Sequence, residues 1–374
     1  MTIAFLTGHT PSVYRFRLDC MKYLREWRAE VIVLGPEPEE EWKAVFAKDG
    51  IQYYQVKLSK NSTNPFTDLA TYFDLRRLLC ELKPKAVICD HAKMMIYGTL
   101  AAKHVHIPYR FIMLGGVGSV LRDPPENLKR KLIQSIVKLE YRVSFPRANK
   151  IFFQNNDDLR LFLDMKIATR KQAVMIPGSG VNLKQYPVSP LPDNHDFLFV
   201  GRLIRDKGLM EFLEAGRKLR RRVPDAKCHV VGYFDPNQTM LSMADIQPYI
   251  DDGTVIYHGQ QDDVLPYLQN CYGFVLPSYH EGTPHSVLEA LSVGRPVVTT
   301  RAPGCRETVI DGKNGFLVPV KAVGALSDAM EKLCKNREMA ESMAIESRKL
   351  AETRFDVNIV CDTLYRTIYS YLER

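Results

Sequence analysis

The chain has 374 residues, of which 45% are hydrophobic and 25% charged, enough for two ordinary globular domains and unlike a disordered or low-complexity polymer. Its net charge of +8 is uneven: residues 1–190 hold 29 Lys and Arg against 18 Asp and Glu, whereas the remainder holds 22 against 25. A basic half predicts an anionic partner, and the lack of a recognition motif or a basic stretch interleaved with stacking aromatics argues against nucleic acid. Eight scattered cysteines show no pair at metal-ligand spacing, so buried free thiols in a reducing cytosol are expected, with no metal site and no cofactor. The start, MTIAFLTGHT, does not read as a signal peptide, and no run of about 18 apolar residues predicts a membrane-spanning helix.

The chain opens with an apolar strand, TIAFLT, followed by the loop TGHTPSVYRFR and a helical pattern near RLDCMKYLREW. Gly8 in that loop either lets the backbone approach a phosphate or is an ordinary turn glycine. Tyr14 and Arg15 beyond it are candidates for contact with an acceptor. The strands AEVIVLG, KAVICD and YRFIMLG follow. Continuous apolar runs of this kind, spaced by helical patterns, suit buried parallel strands. His91 and Lys93 stand near the end of KAVICD and are placed to meet an acceptor's phosphate or sugar, with a hydrogen-bonded structural histidine as the other reading of His91. The segment 127–142 is a basic amphipathic helix: Lys129, Arg130, Lys131, Lys138 and Arg142 accompany Leu132, Ile136, Val137 and Leu139. It is expected either to lie on an anionic membrane or to turn its apolar side to the core.

The pattern restarts after PVSPLPDNHD, a proline-rich linker, with FLFVG, KCHVVG, GTVIYHG, GFVLPS and RPVVTT. Two successive sets of alternating strands and helices predict an α/β protein of two doubly wound Rossmann-like domains facing across a cleft. The expected division is 1–187 and 188–354, with a C-terminal helix at 355–374 packing back on the first domain. Arg202 ends the strand FLFVG and Lys207 precedes the next helix, so both can reach a diphosphate. In FVLPSYHEGTPHSVLEALSVGRPVVTT, a strand leads through YHEG to a helix, with Thr283 expected as N-cap, Pro284 at the first helical position and Gly294 at the end. The amides of His285 and Ser286 would form an anion site, with Gly282 and Thr283 in the approach. Glu281 and Glu289, seven residues apart, flank it, and Glu289 shares a helix face with His285. Amides for a diphosphate, one carboxylate for a ribose and one for a sugar are what a nucleotide sugar requires.

This segment resembles the E-x7-E signature of glycosyltransferase family four, the retaining enzymes of GT-B fold, and the surrounding LPS…EG.P…LEA…G.PVV is similar as well. The resemblance implies a sugar contact for Glu281, a ribose contact for Glu289 and pyrophosphate contacts for Arg202 and Lys207 in GR…KG. It also implies that backbone groups along VVGYFD and YHGQQDDVLPYL hold a base, taken as uracil. Many relatives carry two glycines where this chain has Gly8 and then His9, and a histidine where it has Gly115, Gly116 and Gly118. NSTNPF and IPYRF…G.GS are similar to the subgroup that adds N-acetylgalactosamine to undecaprenyl-diphosphate-linked diacetylbacillosamine, and to capsule enzymes.

The expectation is therefore a metal-independent, retaining transfer of an N-acetylhexosamine, N-acetylgalactosamine favoured, from a UDP-sugar to an undecaprenyl-diphosphate-linked saccharide. The enzyme would be cytoplasmic and peripheral on the inner face of the plasma membrane. A transferase with a soluble acceptor, a catalytically silent nucleotide-sugar-binding protein and a nucleotide-sugar epimerase are the alternatives.

Overall fold

Mostly apolar runs of three to six residues form parallel strands here, and the stretches between them supply the helices. The computed structural model describes residues 1–59, 64–122, 124–125, 127–234 and 241–373. The chain divides into two units, Met1–Ser179 with Asn358–Arg374, and Gly180–Val357. The boundary falls ahead of residue 187 because Val181 bridges to Asp356 and the Tyr186 hydroxyl bonds to Glu289, both inside the second unit. The proline-rich stretch read as a linker thus belongs to the second unit.

The first unit runs β1 (Thr2–Thr7), α1 (Thr10–Glu26), β2 (Glu30–Gly35), α2 (Glu39–Ala47), β3 (Gln52–Gln55), α3 (Pro65–Leu82), β4 (Ala86–Asp90), α4 (Thr99–His104), β5 (Tyr109–Met113), α5 (Ser119–Arg122), α6 (Leu128–Ser144), β6 (Lys150–Phe153), α7 (Asn156–Asp164) and β7 (Ala173–Met175). Its parallel sheet has the order β3-β2-β1-β4-β5-β6-β7. Helix α1 begins well before the predicted pattern, because His9 caps it by accepting from the Ser12 amide and Pro11 suits the first turn. Helix α6 begins at Asn127, whose side chain accepts from the Arg130 amide. It buries Gln134, Tyr141 and Ser144, which recur at helical spacing, with Val137 packed partly against the core. The row Leu128, Leu132, Ile136, Leu139 and Val143 is exposed, Leu128 to 84% and Leu132 to 62%. Of the two orientations expected for this helix, the one with most of its apolar row outward is adopted.

The second unit runs β8 (Asp196–Val200), α8 (Leu209–Arg220), β9 (Lys227–Val231), α9 (Met243–Asp251), β10 (Val255–Tyr257), α10 (Leu265–Asn270), β11 (Gly273–Leu276), α11 (His285–Val293), β12 (Val297–Thr300), β13 (Gly315–Val318), α12 (Val323–Lys335) and α13 (Arg337–Leu350). Its parallel sheet has the order β10-β9-β8-β11-β12-β13. The core is continuous from Phe197 and Phe199 through Phe274 and Leu276 to Leu288 and Leu291, all buried. The final helix, α14 (Val357–Leu372), returns to the first unit. There Tyr365 stacks on Trp27, the Tyr369 hydroxyl donates to the Trp27 carbonyl, and Tyr371 packs edge-on against Phe111. The Cys361 sulfur lies 2.7 Å from that of Cys20. Burial is not general among the cysteines: Cys80 is exposed on α3. Among the described residues no helix is long and apolar enough to cross a membrane.

Candidate active site

In the second unit β8 pairs with β11 on one side and β9 on the other, so the strand order reverses between β8 and β11. Ligands of doubly wound sheets bind beyond the carboxyl ends of strands at such a point. The chain leaves β8 through Gly201 and the half-buried Arg202, tightens into one 3-10 turn at Arg205–Lys207, and enters α8 at Gly208. It leaves β11 through Pro277 to Thr283 and enters α11. The two loops are stitched together: the Tyr279 amide and the Ser278 hydroxyl both donate to the Asp206 carbonyl, at 2.8 and 3.0 Å. Gly208 adopts a left-handed conformation, and a Cβ there would stand 2.2 Å from the Pro277 carbonyl oxygen. That approach brings Lys207 over Glu281.

The Lys207 ammonium donates to Oε1 of Glu281, and the two side chains are only 19% and 12% exposed. Partial removal from water strengthens this attraction relative to a surface pair. The Glu281 amide donates to the Pro303 carbonyl at 2.9 Å. The loop after β12 crosses so closely that a Cβ on Gly304, also left-handed, would lie 2.2 Å from the Glu281 carbonyl oxygen. Burial and then the Glu281 charge push the neighbouring Cys305 thiol up to about 12, which leaves it an inert neutral packing group. The Tyr279 phenol donates to Glu211 at 2.7 Å, and burial followed by that carboxylate raises its pKa.

Helix α11 begins one residue later than expected. Pro284 is the N-cap, with a ψ of 110° that keeps it outside the helix, and His285 is the first helical residue. Thr283 therefore precedes the cap, and Pro284 has no side-chain acceptor for the first-turn amides. Those of His285 and Ser286 are directed out of the helix start, where the dipole favours an anion. Gly294 closes the helix as expected. Glu289 is 1% exposed; its Oε1 accepts from the Tyr186 hydroxyl at 2.8 Å and lies 3.4 Å from His285 Nε2. Glu289 thus shares a face with His285, and its position is fixed by a tyrosine that the motif does not contain. Beyond β9 and β10, the Gly232 amide donates to the Gly259 carbonyl at 2.8 Å. Asp235 of VVGYFD lies outside the described residues, as do Asn61 to Thr63 of NSTNPF.

The first unit repeats the arrangement between β1 and β4, which are also neighbours at a reversal of strand order. Gly8 follows β1 and His91 follows β4, and a Cβ on Gly8 would lie 2.9 Å from that of His91. His91 has a φ of 69°, uncommon for a residue with a side chain. Its amide donates to Asp90 at 2.8 Å and its Nδ1 lies 3.2 Å from the Thr7 hydroxyl. The other acceptor-side candidates do not join it. Lys93 turns to α3, bonding Asp68 at 2.6 Å and the Ser59 carbonyl at 2.8 Å. Tyr14 packs edge-on against Trp42 and Phe46, and Arg15 is exposed on α1. Sequence reasoning passed over Arg17, which is 4% exposed, 3.3 Å from Asp90 and bonded to Ser179. The acid ending KAVICD was the signal available for it.

Residues 185–350, which contain Arg202, Lys207, Glu281 and Glu289 but not Gly8, match the family described as glycosyl transferases group 1. That segment resembles this family, and the chain is a hexosyltransferase of GT-B fold. Over 96% of its length it is 29% identical to 96% of the N,N'-diacetylbacillosaminyl-diphospho-undecaprenol alpha-1,3-N-acetylgalactosaminyltransferase of Campylobacter jejuni. It is 26% identical to the capsular polysaccharide biosynthesis glycosyltransferase CapM of Staphylococcus aureus, covering 82% of this chain and 83% of that one. Among solved structures, HepE of Anabaena in complex with UDP-glucose superimposes with a TM-score of 0.79 at 18% identity, covering 99% of this chain and all of that one. Sucrose-phosphate synthase of Thermosynechococcus elongatus gives 0.78 at 17% identity, with 99% of each chain covered.

Proposed function

We propose that this enzyme transfers an N-acetylhexosamine, N-acetylgalactosamine in the first instance, from its UDP-sugar to an undecaprenyl-diphosphate-linked saccharide during glycan or capsule assembly. The observation that carries the donor half is the meeting of Lys207 and Glu281 beside the start of α11, with Glu289 buried one turn further on. HepE was solved with a UDP-sugar, which supports uridine as the base. The acceptor half rests on similarity to the Campylobacter transferase along nearly the whole chain.

In this reading an arriving diphosphate draws Lys207 from Glu281, and Arg202 with the α11 amides completes its cradle. Glu281 is then released to accept from sugar hydroxyls and to steady positive charge near the anomeric carbon. The bond from that carbon to the β-phosphate oxygen breaks, and the acceptor oxygen bonds on the same face, which retains configuration. The acceptor's proton passes to the departing diphosphate. No protein nucleophile and no metal ion takes part. The outward apolar row of α6, with its lysines and arginines, supports attachment to an anionic membrane at the cytoplasmic side, where a lipid-linked acceptor would reside.

The test is release of nucleoside diphosphate from a panel of UDP- and GDP-sugars, with and without undecaprenyl-diphosphate-linked saccharide, in buffer with and without a chelator. Acceptor-dependent release from UDP-N-acetylgalactosamine in chelator, with an α-linked product by NMR, is the expected result. Release only with a soluble sugar acceptor would reassign the acceptor, and donor binding without release on any acceptor would make this a silent binding protein.

A further inference from the structure

Helix α3 carries a second apolar face that takes no part in the donor chemistry described above. It packs inward through Thr71, Leu75 and Leu79 and exposes Phe66 to 78%, Leu69 to 50% and Phe73 to 52%. Positions 66, 69 and 73 fall on one side of a helix. A surface helix ordinarily turns polar residues outward, and two exposed phenylalanines one above the other reverse that pattern. Two acids of α3 turn towards neighbouring segments, Asp68 to the Lys93 ammonium and Asp74 to the Lys57 amide, while Arg76, Arg77 and Glu81 stay exposed nearer its C-terminus.

Helix α6 lies on the same side of the sheet: Leu75 and Leu79 of α3 and Tyr141 of α6 belong to one buried core. The Tyr97 hydroxyl, on the π-turn Met94–Gly98, lies 3.2 Å from Asp68 on α3 and 2.6 Å from Glu140 on α6. This brace ties α3 to α6 through the turn between them. Five cations on α6 accompany that row against a single acid, Glu140.

We propose that the outer edge of α3 enters the headgroup–acyl boundary of an anionic phospholipid bilayer beside α6, so that the membrane contact is a two-helix surface with Phe66 and Phe73 as its inserted side chains. This rests on the membrane reading made above for α6 and adds the element that supplies depth. Charge selects the occupant: the cationic margin attracts anionic headgroups, whereas a second copy would bring the same positive charge against it.

The experiment is sedimentation of the full chain with vesicles of phosphatidylcholine alone or mixed with phosphatidylglycerol, at low and high salt. Phe66→Asp/Phe73→Asp is compared with Leu132→Asp/Leu139→Asp. Melting temperature and turnover on a short-chain, water-soluble acceptor serve as controls, since none of these exposed side chains supports the core or the donor site. The expected result is binding of the wild type to phosphatidylglycerol vesicles, weakened about tenfold or more in the Phe66→Asp/Phe73→Asp variant from the loss of two apolar insertions. A Phe73→Trp variant should then show a blue-shifted emission on the same vesicles. If the α6 variant loses binding while the α3 variant binds as the wild type does, the α3 inference falls and the α6 reading stands. If the wild type binds no vesicle, both fall. A dimer in solution that Phe66→Asp/Phe73→Asp dissociates would assign the face to a second copy and overturn the proposal.

Discussion

The two units have the same sheet logic but make opposite use of the point where strand order reverses. In the second unit that point gathers charge: a lysine and a glutamate held together, an arginine nearby, and a helix start aimed outward. In the first unit it gathers a glycine, a threonine hydroxyl and a histidine in a left-handed conformation, while its strong charges, Arg17 and Asp90, neutralise each other out of solvent. The fold fixes where a ligand binds, and the side chains in the two loops decide which. A charged crevice suits a diphosphate whose charge grows as it departs; an uncharged, sterically tight one suits orienting a neutral hydroxyl.

The sharpest way to break this contrast is to compare Glu281→Ala with His91→Ala. In the proposed mechanism Glu281 partners the developing charge, so its removal, with Lys207 left uncompensated, should lower kcat by about 10²–10³. His91→Ala should act mainly on the KM for acceptor and leave the KM for donor within about twofold. Equal losses of kcat in both, measured by nucleotide release, would mean that the two loops share the chemistry. Next in size is Gly304→Ala. Its methyl would meet the Glu281 carbonyl in a conformation that L side chains rarely adopt, at a cost of about 1–3 kcal/mol from strain alone. The Glu281 loop should shift, lowering turnover at least tenfold with only a modest drop in melting temperature. Full activity in Gly304→Ala would show that the position of this loop is not critical.

Tyr186→Phe probes the same site more gently. It removes one hydrogen bond to a buried carboxylate, worth about 1.5–3 kcal/mol, while His285 remains beside the same oxygen. The expected outcome is a roughly tenfold weaker affinity for UDP by calorimetry, with kcat changed less than in Glu281→Ala. An unchanged affinity would remove Tyr186 from the donor site.

The residues of this contrast differ in how far the sequence alone revealed them. The strands that bear the donor loops, β8 and β11, were legible because both faces of a central parallel strand are covered and the run is continuously apolar. Edge strand β3, Gln-Tyr-Tyr-Gln, and the three-residue β7 gave no such signal. Glu281, Glu289 and His285 were legible as a local pattern, because a strand, loop and helix start compress them into nine residues. The contact of Lys207 with Glu281 spans 74 positions and that of Tyr186 with Glu289 spans 103, and no periodicity encodes either. Thr283 was misplaced as a cap because Ser/Thr–Pro is the common start of a helix, and the ψ of Pro284 decided otherwise. Helix α6 was legible as amphipathic, but its orientation was not. Gln134 and Ser144 do not look like core residues, so most of the apolar row was free to face outward only once Tyr141 had taken the inside.

The smallest expected effect tests whether the crowding in the first unit is specific. Gly8 does not need a left-handed backbone; what it needs is space, because an added Cβ would stand 2.9 Å from the Cβ of His91. Gly8→Ala should therefore lower stability by about 1–3 kcal/mol, the usual range for overpacking. His91→Gly deletes the atom in the way and relieves a strained φ, while giving up the contact with Thr7. If the two loops press on each other only through these atoms, Gly8→Ala should cost much less in a His91→Gly background. A double-mutant cycle by thermal or urea unfolding should then give a coupling of at least about 0.5 kcal/mol. Additive effects would mean that Gly8 is crowded by some other neighbour, and that the closeness of the two loops is incidental to His91.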